Sequence, residues 1–323
     1  MKIDLVYLWV DGADIEWQRR RHAYLHGVDQ SDNETFCTGR TANSNELLYS
    51  LRSVEMYAPW INHIFIITDN QYPEWLDTSN PKISVVDHSE IFPPEVLPLY
   101  SSRAIEFGIH RIKNLSEHYL YANDDMMLGR TISPEQFFTT NGIVKCYFKK
   151  SKTLSKPKAL KSTYNNTIKN VNDTISKELA LRCENWTPHH QIDAYIKSSV
   201  EKCEKKYNTL INSTINSRFR SRNNINRHIL SLYAVAMGDG VAIVKQMRFI
   251  NKVISRFAIS LGLSKGVNAL LLAIHKKKLK QRIEMFNPAL ICFNDTPDAT
   301  DEDRERLKLL LQKLYPQKSQ FEK

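Results

Sequence analysis

Residues 117–126 read EHYLYANDDM, a short apolar run that stops on an amide, Asn123, and two adjacent carboxylates, Asp124 and Asp125. Neighbouring carboxylates repel, and one is driven neutral unless a cation lies with them. A divalent metal removes the conflict. Mg2+ characteristically takes one or two carboxylates together with phosphate oxygens and water, and Mn2+ is the alternative. Asp295, at the end of another apolar run, can supply a further ligand. Softer ligands near the pair are too few for a zinc assignment.

Phosphoryl chemistry around such a metal needs cationic donors for the non-bridging oxygens. Arg40, Arg52, Arg103 and the run RFRSR with Arg218, Arg220 and Arg222 are the candidates. If that run is extended, alternation sets its three arginines on one side. An attacking hydroxyl also needs a general base, and His189 and His190 are the best placed. Thr187 reads as an N-cap and Pro188 as the first helical residue. The two histidines then fall in the first turn, where free N–H groups favour anions and depress an imidazole pKa. Each feature has a plainer reading, since single arginines are commonly surface residues and first-turn histidines are commonly solvated. Spacing alone does not choose between His189 and His190. No Gly-x-x-x-x-Gly-Lys loop and no Gly-x-Gly-x-x-Gly occurs, so the chain is not an ordinary P-loop or dinucleotide-fingerprint protein.

The elements that must hold these groups follow from hydrophobic pattern. Leu5–Val10, His63–Thr68, Tyr119–Ala122 and Leu290–Phe293 read as buried strands. Residues 45–59 and 101–115 carry helical periodicity, the second with Ile105, Ile109 and Ile112 on one stripe. Strands alternating with helices predict βαβ units and a parallel sheet. Each strand ends in a polar group: Asp11-Gly12, Asp69-Asn70, Asn123-Asp124-Asp125 and Asn294-Asp295. Ligands of open α/β sheets bind beyond the carboxyl ends of the strands. Asp and Asn also simply open turns, which is the stronger reading for any one pair. Four such ends together favour a site.

The remaining chain sets bounds. Its 323 residues suffice for one large α/β domain or two smaller ones, and the net charge of +10 favours anionic partners. Nucleic-acid motifs are lacking. Cysteines 37, 146, 183, 203 and 292 show no Cys-x-x-Cys spacing and are expected to be reduced and buried, as in a cytosolic protein. The start MKIDLVYLWVDG reads as a first strand rather than a signal peptide. Residues 145–169, rich in Lys, Ser and Thr, read as a mobile loop or insertion. The helix that Thr187 caps is expected to carry Ile192, Ile196, Val200 and Cys203 as its apolar stripe, and another is expected after Arg222 ending at Gly238. The acid-free stretch 248–282 is too broken for a membrane span. It suits a half-buried helix pair or an amphipathic helix near anionic lipid. Thr300 caps a final helix with Leu307, Leu310, Leu311 and Leu314 on its buried stripe.

IDLVYLWVDGAD, NELLYSLRSVEMYAPWINHIFIITDNQYPEWL, LSEHYLYANDDMMLG and ICFNDT, in that order, resemble the four-region pattern of the Stealth proteins. That family includes bacterial capsular and exopolysaccharide phosphotransferases and is similar in its core to the animal N-acetylglucosamine-1-phosphotransferase. The resemblance implies transfer of hexose 1-phosphate from a UDP-sugar to a glycan hydroxyl, usually with Mg2+. UMP is released and a phosphodiester forms. It also implies a Rossmann-like nucleotide-sugar core similar to the glycosyltransferase A fold. The matching positions are Asp11, Gly12, Arg40, Asn45-Glu46, Asp69-Asn70, Asn123-Asp124-Asp125 and Asn294-Asp295, with TPHHQID as the third region. Before Ala104-Ile105-Glu106 the family pattern is Asn-Ser-His-like. This chain has Ser101-Ser102-Arg103, a departure that bears on acceptor or sugar choice.

The expectation is therefore an α/β core from 1–145 and 285–323, a Lys/Asn-rich insertion at 146–175, and a mainly helical part at 176–284 facing acceptor or membrane. Asp124, Asp125 and Asp295 are the expected metal ligands. His189, His190, Arg40, Arg220, Asp69 and Arg103 are the catalytic candidates, and Asp11, Gly12, Asn45, Asn70, Asn123 and Asn294 the substrate-binding ones. The partners would be a UDP-hexose and a glycan or lipid-linked oligosaccharide. Peripheral membrane contact would run through 245–282 on a cytoplasmic protein, with no role for nucleic acid. The rivals are a metal-dependent glycosyltransferase releasing UDP and a basic membrane-surface protein without catalysis.

Overall fold

The structure is a computed structural model and describes residues 1–25, 44–151, 154, 162–245, 269–296 and 298–323. Arg40, Cys37 and positions 246–268 of the acid-free stretch lie outside the described residues.

The chain opens with β1 (Ile3–Leu8) and α1 (Ile15–Ala23), then α2 (Glu46–Tyr57), β2 (Ile64–Thr68) and β3 (Ile83–Asp87). Two short helical turns, α3 (His88–Ile91) and α4 (Ser102–Ile105), precede β4 (His118–Asn123) and β5 (Met126–Leu128). Next come β6 (Val144–Lys150), α5 (Thr163–Leu179), β7 (Trp186–Pro188), β8 (Asp193–Ile196), α6 (Lys197–Lys206), α7 (Asn208–Ile215), α8 (His228–Met237) and β9 (Gly240–Lys245). The last elements are β10 (Ala269–Ala273), α9 (Leu279–Phe286), β11 (Leu290–Asn294) and α10 (Asp301–Leu314).

The central sheet has the order β3-β2-β1-β4-β8. β1 runs parallel to both β2 and β4, β2 runs parallel to β3, and only β8 is antiparallel. β1 is apolar on both faces, as a strand covered from both sides must be: Leu5, Val6 and Tyr7 are at most 1% exposed. Chain order reverses at β1, with β2 and β3 on one side and β4 on the other. That switch point opens a crevice beyond the ends of β1 and β4.

The mixed α/β architecture with a central parallel sheet agrees with expectation. The four expected strands all form, but not in one sheet. β11 joins β10 and β5 in a smaller sheet, parallel to β10 and antiparallel to β5. Residues 145–150, expected as loop, belong to strand β6, and 163–169 begin helix α5. In β6, Val144, Cys146 and Phe148 point inward while lysines alternate outward, so the basic composition hides a half-buried strand. Among the described residues of 176–284, strands β7 to β10 fall among helices α6 to α9. The 101–115 stripe is buried as expected, but as one α turn followed by 3-10 turns through Arg111.

Helix α2 fixes the turn that carries the aspartates. Ser50 Oγ donates to Met126 O at 2.5 Å, leaving Tyr7 Oη, 2.7 Å away, as the donor to Ser50. Ser53 Oγ accepts from Leu128 N at 2.9 Å. The helix thus satisfies backbone groups of β5 and sets where the chain leaves the central sheet for the small one. Asp124 and Asp125 occupy that exit.

Candidate active site

A cavity of about 620 Å³ lies over the switch point. Asp69, Arg103, Asn123, Asp124, Asp125, His189, His190, Arg220, Asn294 and Asp295 all line it. Three strand ends of the central sheet and one of the small sheet thus serve one space. Asp11, Gly12, Asn45 and Asn70 do not line it and sit in the loops around it. Asp11 Oδ1 accepts from Ala13 N, and its backbone is clasped by the Gln71 amide. Gly12 O accepts from Gln18, and Asn70 holds a positive φ of 54° while its N–H donates to Asp87. Asn45 precedes α2 at φ 61°. Asp69 is paired with Arg20 at 3.0 Å.

Three carboxylates crowd the acidic end. Burial pushes Asp124 well above the usual carboxylate range, and Asp125 and then Glu46 add to it. Burial pushes Asp125 up to about 6, against a lowering hydrogen bond from Cys292. Glu46 is likewise raised by burial, with Asp125 contributing. Asp125 Oδ1 is shielded and has no hydrogen-bond partner among the described residues. Such a set is poised for a cation: a divalent ion would relieve the repulsion and use the orphaned oxygen. Asp124, Asp125 and Glu46 therefore fit an oxygen-loving metal. Asp295 is already engaged, its carboxylate taking the Arg304 guanidinium at 2.7 Å.

The histidines reach the cavity by another route than the one expected. Thr187 and Pro188 are in strand β7, paired with Lys149 and Phe148, and the helix begins only at Lys197. The imidazoles therefore do not lie in the first turn of that helix. His190 is still driven neutral, down to about 4, because it is buried and near Arg227 and Lys149. Its Nε2 lies 3.1 Å from Cys292 Sγ, which in turn donates to Asp125 Oδ2 at 3.2 Å. With the thiol proton on the Asp125 side, Nε2–H is the donor to sulfur and Nδ1 keeps the lone pair. Cys292 is in place because β11 pairs with β5: Cys292 faces Met126, and Phe293 N donates to Asp125 O at 3.0 Å. The expectation of too few soft ligands fails here, since His190 and Cys292 close on Asp125 from distant parts of the chain.

The arginines divide. Arg220 Nη2 donates to Ser102 Oγ at 2.8 Å on the cavity wall. Residues 218 and 219 form a bend rather than an extended run, so strand alternation does not apply here: Arg218 covers the Tyr24 ring and reaches Leu97 O. Arg52 is away from the cavity, tied to Glu322 and Tyr315 O.

A buried network that also lines the cavity has no counterpart in the sequence reading. Arg227 donates through Nε and Nη2 to Asp193 Oδ2 and through Nη1 to Glu106 Oε1, all within 3.0 Å. Burial opposes its charge, but Glu106 and Asp193 outweigh it and hold it ionised. Tyr121 Oη bridges Glu106 and Asn123. Glu106 Oε2 is buried and unpartnered among the described residues. At the mouth, Trp17 meets Tyr100 edge-on at 5.6 Å and Tyr100 stacks on Phe219 at 5.4 Å. The described cysteines, 146, 183, 203 and 292, are free and buried, as expected. No helix among the described residues is long and apolar enough to cross a membrane.

Comparison with known proteins agrees with this picture. Residues 1–29 match the profile described as Stealth protein CR1, conserved region 1, and residues 40–146 match Stealth protein CR2, conserved region 2. The chain is 36% identical over 334 residues to the exopolysaccharide phosphotransferase SCO6023 of Streptomyces coelicolor, covering 99% of this chain and 52% of that one. It is 30% identical over 305 residues to the capsular polysaccharide phosphotransferase fcs1 of Haemophilus influenzae, covering 93% of this chain and 79% of the relative. It thus spans about half the length of the first of these. The galactosyltransferase LgtC, solved with donor and acceptor sugar analogs, overlays with a TM-score of 0.42 at 9% identity, covering 96% of this chain and 95% of that one. That likeness is too loose to carry an inference. On the two conserved regions, and on kinship across most of its length, the chain belongs to the Stealth protein family.

Proposed function

We propose that the protein transfers hexose 1-phosphate from a UDP-hexose to a hydroxyl of a polysaccharide or lipid-linked glycan in capsule or exopolysaccharide synthesis. The observation that carries this reading is the crowd of Glu46, Asp124 and Asp125 at the switch-point cavity, each raised above the usual carboxylate range by burial. The names of the relatives, polysaccharide phosphotransferases, support phosphoryl over glycosyl transfer.

Asp124 and Asp125, with Glu46 beside them, would hold Mg2+, or Mn2+ in its place. Asp295, paired with Arg304, would join only by giving up part of that pair. The bound ion would neutralise diphosphate charge and make the β-phosphorus more electrophilic. Arg220 and Arg103 supply positive charge on the cavity wall, and Arg40 is a third candidate. The aromatic face of Trp17, Tyr100 and Phe219 receives the uracil ring. The acceptor oxygen attacks the β-phosphorus, the bond from that phosphorus to the bridging oxygen breaks, and UMP leaves with that oxygen. The hydroxyl proton passes to an imidazole, His190 through Nδ1 or His189. Glu106 Oε2, buried and unpartnered among the described residues, is a second acceptor for the proton. Loss of turnover in His190→Gln with retention in Glu106→Gln supports the imidazole, and the reverse supports the carboxylate.

The reading is tested by incubating the protein with a panel of UDP-sugars and a glycan acceptor, then identifying the nucleotide. UMP that disappears with EDTA supports it. UDP supports the glycosyltransferase rival, and no turnover with any donor leaves the binding-protein rival.

A further inference from the structure

Asp125, His190 and Cys292 each offer one ligand atom, and these atoms lie within 4.8 Å of one another. They come from three separate places: the exit turn between β4 and β5, the segment between β7 and β8, and the middle of β11. A hydrogen-bonded chain from imidazole to thiol to carboxylate already links them, at 3.1 and 3.2 Å. Asp125 also keeps one shielded oxygen without a partner among the described residues. One carboxylate, one imidazole and one thiol make a poor set for Mg2+, which wants oxygens. They make a good set for Zn2+, which takes Cys, His and Asp together and tolerates an open fourth position.

We propose that Asp125, His190 and Cys292 form a site for a thiophilic divalent cation of the Zn2+ class, and that filling it withdraws Asp125 from the Mg2+ position. The second half rests on the reading of Asp125 as a Mg2+ ligand; the first half does not. On binding, the thiol releases its proton to solvent and sulfur ligates the metal. Nε2 of His190 changes from donor to ligand as its proton is carried on Nδ1 instead. The hydrogen bonds that the three groups make to one another are replaced by bonds to the ion. Among the described residues no second cluster of this kind exists, so Cys146, Cys183 and Cys203 do not compete.

The test uses the full chain, freed of metal with EDTA and titrated with Co2+ as a spectroscopic stand-in for Zn2+. A thiolate-to-cobalt charge-transfer band and the strong visible bands of four-coordinate Co2+ are expected, both displaced by Zn2+. Cys292→Ser should lose the charge-transfer band and weaken Zn2+ at least about tenfold. His190→Gln, a change between β7 and β8 and away from the small sheet that holds Cys292, should weaken it similarly. A Co2+ spectrum without a thiolate band, or one unchanged in Cys292→Ser, overturns the site. In Mg2+-supported turnover, Zn2+ should inhibit the wild type at a concentration at least about tenfold below that needed for Cys292→Ser, each measured against its own uninhibited rate. Equal inhibition of both overturns the exclusion of Mg2+. Release of UDP instead of UMP would sink the proposed reaction and leave the cobalt result standing.

Discussion

Replacing Asp125 with Asn should make the metal-free protein more stable near neutral pH while removing its activity. The carboxyl sits at about 6 in the fold because burial raises it more than the Cys292 hydrogen bond lowers it, against roughly 3.9 in an unfolded chain. For a raised carboxyl, the folded state binds more protons between those values, so stability falls as pH rises from about 4 to about 6. Above about 6 the whole penalty is present, and below about 4 none of it is. Two pH units correspond to about 3 kcal/mol, an upper bound because the new amide must also be solvated. At about 2–4 °C per kcal/mol for a chain of this order of size, the variant should melt about 2–10 °C higher. The assay is a thermal melt in EDTA at pH 7.5 and again near pH 4, where the gain should vanish. Mg2+ should then raise the wild-type midpoint and leave the variant unmoved, and turnover should drop at least about 100-fold. A variant that melts at or below the wild type at pH 7.5, or gains equally at both pH values, would refute the reasoning.

Other consequences can be checked alongside. Arg227→Met strands Asp193 and Glu106 in a buried wall and should cost about 3–5 kcal/mol in urea unfolding; a loss below about 1 kcal/mol would mean another donor satisfies them. Phe219→Ala removes part of the stacking face and should weaken UMP about tenfold or more by calorimetry, whereas unchanged affinity would place the base elsewhere. Lys276, Lys277, Lys278 and Lys280 are exposed around the start of α9. Changing all four to Gln should lower co-sedimentation with anionic vesicles, and an unchanged bound fraction would remove this segment from any membrane contact.

The parts of this molecule that were legible in its sequence are those governed by local rules. β1, β2, β4 and β11 are runs apolar on both faces, and each stops on Asp or Asn, so the strands and the acidic rim followed from pattern. The final helix announced itself through Thr300 and the acids after it, and the structure has the full capping box with Asp303. Failures came where a local signal met a stronger distant one. Thr187-Pro188 has good helix-start chemistry, yet pairing with Lys149 and Phe148 holds it extended. The lysines of β6 give it the composition of a loop, while the alternation of Val144, Cys146 and Phe148 makes it a half-buried strand. Arg227 and Glu106 are 121 residues apart, and Cys292 meets Asp125 across 167; no spacing rule links such pairs. Glu46 is among the positions that match the family pattern, but its carboxylate joins the metal candidates only because α2 packs against the aspartate turn.

The most direct test follows the phosphorus itself. UDP-hexose labelled only at the β-phosphorus is incubated with Mg2+ and acceptor, and the label is traced by mass spectrometry. The account predicts labelled phosphorus in the glycan as a phosphodiester, with unlabelled UMP in solution. Label recovered in UDP, with a glycan that gained sugar but no phosphorus, would contradict it.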